Sequence, residues 1–278
     1  MSPGARASRP HRRMAPTVER AGRPRSQGGW RGLVVPAGVL IAAELAARAA
    51  GLQSDSLARP SEIAAVGIAA LIDGTMLHAT GQTLVAAFAG LAIGTSLGLA
   101  FGILLGLFRT ASRLAEFSVE AFRPIPSVAL IPIVLLIFGF GYRMEIAIVA
   151  FATFWPILIL TRAAIAGIEP RLLEVSRALG FGLGRRVAKI VLPAALPRLF
   201  VAFRLAVGIA LIVAVTVEIT GNTLGLGYAL MDAQQSLRPA LMFALLLWVG
   251  LVGWGLNAVL LWAQARLFGP AAAVEATP

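Results

Sequence analysis

The sequence contains no cysteine, and its two histidines, His11 and His78, stand far apart. The first absence removes disulfides, thiolate nucleophiles and cysteine-held metals together. The second leaves too few imidazoles for a zinc or acid–base cluster, so no metal site is expected. No Gly-x4-Gly-Lys-Ser/Thr phosphate loop occurs either, so the chain is not expected to hydrolyse ATP or to carry a cofactor of its own. Charge is scarce as well. Only 13% of the 278 residues are charged, against roughly 25% in soluble domains. In contrast, 58% are hydrophobic. So apolar a chain cannot cover itself with polar surface, and a membrane is its expected solvent.

The net charge of +11 would suit nucleic acid, but its distribution does not. Eight arginines crowd residues 1–31, and most other basic residues fall in loops between apolar runs. Residues 1–30 are rich in Arg, Pro, Gly and Ser and are expected to form a disordered tail. Arg12-Arg13 lacks the nearby apolar run that an export signal needs, and Met14 is a second candidate start.

A span needs roughly 20 apolar residues. Six are expected, near 32–50, 83–108, 125–140, 144–166, 199–220 and 239–261. They make a transmembrane domain over 31–268 of an all-α membrane protein, followed by a short tail at 269–278. A short interfacial helix is expected at 63–71, where Pro60, Glu62 and Asp73 exclude an ordinary span. Glu44 and Arg48 share a helical face four residues apart, which sets up either an ion pair or a snorkelling arginine. With the N-terminus inside, all 24 basic residues except Arg48, Arg59, Arg143 and Arg238 fall on inner segments. The positive-inside rule therefore predicts both termini in the cytoplasm.

Gly90, Gly94, Gly98, Gly102 and Gly106 recur every four residues in the second span. In lipid, small residues at this spacing let a second backbone approach closely, and the same face would let helices slide during gating. Ala202, Ala206, Ala210 and Ala214 form a similar ladder that ends at Glu218. A carboxylate at that depth must face the bundle interior, a wet solute path or an interface. Gly221, Gly225 and Gly227 predict an irregular outer loop. Pro124, Pro126 and Pro132 predict broken helix geometry in the third span.

The basic inner loop at 167–197 carries the strongest pattern. Pro170 suits the first turn of a helix. Leu172, Leu173, Ala178 and Leu179 give that helix an apolar side, and Gly180 is a natural stop. A second short helix is expected from 183 to 192, ending before Pro193. Two amphipathic helices projecting from a membrane make a docking knob.

This stretch resembles the EAA loop of ABC importer permeases. Glu174 is followed six residues later by Gly180, and after nine more residues come Ile190, Leu192 and Pro193. Val175 and Ser176 stand where the family has two alanines. Arg123-Pro124-Ile125-Pro126, Pro170-Arg171-Leu172-Leu173-Glu174 and Gly225-Leu226-Gly227-Tyr228 resemble the nitrate/sulfonate/taurine-type permeases. The resemblance covers about residues 57–268. It implies that Glu174, Val175, Ser176, Ala178, Leu179, Gly180, Ile190 and Pro193 belong to a coupling loop seated in an ATPase subunit. ATP and Mg would be bound by that partner. It also implies an external solute-binding protein, a homodimer of permeases and alternating access for an aliphatic sulfonate, taurine or nitrate. The rival is an ion-driven secondary transporter, which would show paired broken repeats; a membrane enzyme would need a reactive cluster that this sequence lacks.

Overall fold

The computed structural model describes residues 31–49 and 56–268; the tails expected at 1–30 and 269–278 lie outside them. Two units divide the chain after Ala43. Helix α1 (Arg31–Ala49) covers the first expected span. From Glu44 onward the second unit begins, and there the Glu44 carboxylate accepts from Arg48 Nε at 2.6 Å and from the Ser61 hydroxyl at 2.8 Å.

Helix α2 (Pro60–Ile72) starts on a proline at its first position, as the missing N–H allows. Asp73 follows and accepts from the Thr75 hydroxyl at 2.6 Å and the Thr75 N–H at 2.9 Å. These bonds hold its carboxyl below the usual carboxylate range and start helix α3 (Thr75–Leu107). Helix α4 (Arg109–Phe122) is amphipathic, and a 3-10 turn (Ser127–Leu130) leads into the short helix α5 (Ile131–Phe138). Then come α6 (Tyr142–Ala166), α7 (Pro170–Ala178) and α8 (Leu183–Arg186). A π-helical turn (Val187–Val191) joins α8 to α9 (Leu192–Gly221). Helices α10 (Gly225–Gln235) and α11 (Pro239–Phe268) complete the described chain.

Among the described residues, four helical stretches are long and apolar enough to cross a membrane: Thr75–Leu107, Tyr142–Ala166, Leu183–Gly221 and Pro239–Phe268. Large apolar side chains such as Leu136 and Phe117 stand more than 80% exposed, which lipid tolerates and water does not. The pair α4 and α5, bent by 80°, makes a fifth crossing. The packing of α3 on α6 requires it. Cβ atoms placed on Gly90, Gly98, Gly102 and Gly106 would meet Val149, Ile157, Thr161 and Ile165 in turn. Both series ascend in steps that keep the same offset, so the two helices run parallel. The end of α3 and the start of α6 thus lie on opposite sides, and residues 109–138 must carry the chain back. The third expected span is in this way half of a bent crossing, broken at the Pro124–Pro126 segment.

Three expectations need correction. Residues 109–122 form a helix, not a plain inner loop. The second helix of the inner loop does not stop before Pro193; helix runs from Leu183 to Gly221, through Pro193 and Pro197. The π turn explains how. Leu192 donates to Val187, five residues back, which widens the helix where the Pro193 ring would strike the preceding turn. The fifth span therefore begins well before residue 199. Finally, Gly225 and Gly227 open helix α10 instead of an irregular loop.

Candidate functional site

At one end of the bundle, α7 projects between α6 and α8. Its stop is built by Gly180, whose φ of +65° is the left-handed conformation that glycine adopts without cost. Phe181 N–H reaches back to the Ser176 carbonyl at 3.0 Å, the long bond of a Schellman cap. Glu174, Ala178 and Gly180 are exposed, and so are the large apolar side chains of Leu172, Val175, Leu179 and Leu183. A short helix that turns Leu172 and Val175 outward, beside the exposed Glu174 carboxylate, is a surface made to be covered. Ser176 is fully buried, so its side chain seats α7 instead of facing outward. Ile190 is half-buried in the π turn, and Pro193 is exposed on the first turn of α9. The side chain of Leu173 lies outside the description.

At the other end, α10 begins beneath a polar hub. The first N–H groups of a helix have no intrahelical acceptor. Here three of them find side chains: Gly225 donates to Gln82 Oε1 at 3.0 Å, Leu226 to Thr83 Oγ1 at 2.9 Å and Gly227 to Glu218 Oε2 at 2.8 Å. A carboxylate at a helix start also meets the positive end of the helix dipole. The glycines are required by contact. A Cβ on Gly225 would strike the Glu218 carboxyl, and one on Gly227 would lie 2.7 Å from Glu218 Cβ. Glu145, fully buried, accepts from Asn222 Nδ2 at 2.8 Å, and Asn222 Oδ1 accepts from Gly141 N–H at 3.1 Å. The turns before α6 and after α9 are thereby tied together. Glu218 is 1% exposed, and its Oε2 accepts from Gly227 N–H.

Replacing Gly227 with Val should lower the melting temperature of the detergent-solubilised protein by several degrees and reduce its folded yield. Gly208, where an added Cβ meets nothing within 4 Å, is the control. Equal melting temperatures for Gly227→Val and Gly208→Ala would show that the hub is not tightly closed.

Between the ends lies a cavity of about 380 Å³, at mid-length of α6 and α9. Phe151, Trp155, Pro156 and Ile159 line it from α6, Leu205 and Ile209 from α9, and Arg123 and Ser127 from the bend between α4 and α5. Glu218 is not among its lining residues.

The chain from residue 75 to 268 matches the family described as binding-protein-dependent transport system inner membrane component. The chain belongs to this family. An aliphatic sulfonates transport permease protein of Bacillus subtilis, SsuC by name, is 30% identical over 82% of this chain and 83% of its own length. A bicarbonate transport system permease protein of Synechococcus elongatus, CmpB, is 30% identical over 63% of each chain. The fold is similar to that of an inward-facing MetNI methionine ABC transporter, with a TM-score of 0.56 at 24% identity, over 71% of this chain and 94% of that one. The protein is thus a multi-pass inner-membrane permease subunit of an ABC importer.

For this permease, sequence reasoning located α7 and the glycine stripe but missed Glu145 and Arg123. Glu145 sits one residue inside its span and reads as a flank. Its partner Asn222 is 77 residues away, and nothing local announces the pair. Arg123 counts as an inner-loop cation by charge topology; the bend between α4 and α5 instead brings it beside the middle of α6.

Proposed function

We propose that this permease translocates a small anion or zwitterion, an aliphatic sulfonate, taurine or nitrate, delivered by an external binding protein. A separate ATPase subunit drives it, and two permease copies alternate between outward- and inward-facing states. The exposed face of α7 carries the reading: Leu172, Val175 and Leu179 stand free beside Glu174, held by a rigid glycine cap. An apolar helix face on a basic inner loop fits a groove in a soluble subunit better than it fits water or lipid. Charge supports placing that loop and both termini in the cytoplasm. The sulfonate and bicarbonate relatives support an oxyanion as the solute. In this account Glu174, Val175, Ala178, Leu179 and Gly180 contact the ATPase, while Ser176, Ile190 and Pro193 position the loop. ATP and Mg are held by the ATPase, and the sliding of α3 along α6 on the glycine stripe accompanies gating.

Purification from native membranes in mild detergent, followed by mass spectrometry, tests this reading. A protein with a phosphate loop should co-purify in about equal amount, and the Glu174→Lys variant should lose it. A preparation that carries no such ATPase even after chemical crosslinking would contradict the proposal and favour an ion-driven transporter.

A further inference from the structure

The cavity at mid-length of α6 holds an unusual cation. Arg123 makes none of the ion pairs found among the described residues. Glu116, on the same helix, is 3.8 Å from Arg162 instead. Arg123 is exposed on the wall of this cavity, and a guanidinium without a carboxylate along a membrane-spanning bundle marks a ligand or ion path unless something else accounts for it. One further donor shares the lining. The Ser127 hydroxyl belongs to the same wall as Arg123. The opposite walls are apolar. Phe151 and Trp155 meet edge to face with centroids 5.8 Å apart, and Pro156 and Ile209 continue the surface. Pro156 explains why the face opens here, since it supplies no N–H to the Ala152 carbonyl one turn earlier.

We infer that this cavity binds an organic monoanion during passage, with its oxyanion head on Arg123 and its hydrocarbon body against Phe151, Pro156 and Ile209. The forked donors of arginine match a sulfonate or carboxylate head. One cation, one hydroxyl and apolar walls suit a solute with a tail. They suit a small hydrated anion poorly, because such an ion would surrender water to surfaces that return no hydrogen bonds. The volume falls within the range of roughly 300–1,000 Å³ typical of small-molecule sites. A single unassisted cation also keeps the site weak enough to release what it binds, as a transport path requires. The inference rests on the importer reading and gives it a solute class.

The test is equilibrium dialysis of labelled 1-butanesulfonate against the full-length permease in lipid nanodiscs, with nitrate as competitor. Wild type should bind saturably, and nitrate should displace the probe at least about tenfold less well than unlabelled butanesulfonate. Arg123→Gln and the cavity-filling Ile209→Phe should each weaken binding by about tenfold or more. Ile209→Phe decides the matter if Arg123→Gln fails to fold by its melting temperature. Absence of saturable binding in wild type, unchanged binding in the folded variants, or nitrate competing as an equal would overturn the inference. Uptake by the assembled importer separates the two claims. Glu174→Lys should lose uptake together with its ATPase yet keep butanesulfonate binding, whereas Arg123→Gln should lose butanesulfonate uptake while the ATPase still co-purifies. ATP-independent uptake by wild type would contradict the importer reading and leave the dialysis result to judge the cavity.

Discussion

Gly98→Leu should nearly abolish the yield of folded protein. A bare Cβ at this position would already stand 2.8 Å from Ile157 Cγ2, 2.9 Å from Ile157 Cβ and 2.9 Å from the Phe154 carbonyl oxygen. Two of those atoms belong to a β-branched side chain with one comfortable rotamer in a helix, and the third is backbone. No rotamer change clears the contact, so the helices must separate. Overpacking a core commonly costs about 1–3 kcal/mol, and a forced separation along the principal helix pair exceeds that range. The steric origin is separable from other effects. Gly98→Ala should destabilise less, and adding Ile157→Ala should restore part of the loss, whereas Ile157→Ala alone should destabilise. Monodispersity and melting temperature in detergent read all four. A wild-type melting temperature for Gly98→Leu would show that α3 and α6 do not pack through this stripe.

Gly180→Pro and Glu174→Lys should each remove ATP-dependent uptake while leaving insertion intact, for different reasons. At Gly180 an added Cβ meets nothing within 4 Å, so space is not the constraint. The constraint is the backbone: φ is +65° there and proline is fixed near −65°. Proline would undo the cap and turn α7 away from its docking direction. Asn, which tolerates the left-handed region, should retain most uptake where Pro and Val do not. Glu174 is exposed and makes none of the ion pairs found among the described residues, so reversing its charge should change stability by no more than about 0.5 kcal/mol. Its effect must act through a partner. Normal uptake by both Gly180→Pro and Glu174→Lys would remove the coupling assignment.

What the sequence discloses about this permease follows a physical division. Local signals survive reading. Pro170 and Gly180 bracket α7, and four-residue glycine spacing marks the face of α3 that meets α6. Features that depend on two distant segments do not. Pro193 reads as a stop because the wide turn that absorbs it, at Val187–Val191, has no sequence mark of its own. Gly225 and Gly227 read as a loop because the groups that cap α10 come from α3 and α9. Glu218 stays ambiguous alone; the bond it accepts from Gly227 and its burial appear only once α9 and α10 are packed together. Arg123 reads as topology until the 80° bend brings it to the middle of the bundle.

The most direct test of the central claim is a photo-crosslinking amino acid at Val175, on the exposed face of α7, in cells that carry the whole importer. The predicted result is one dominant adduct, whose partner contains a phosphate loop by mass spectrometry and which is absent when the probe sits at Tyr228, in helix α10. Adducts to lipid alone at Val175, or the same adduct at Tyr228, would contradict the account.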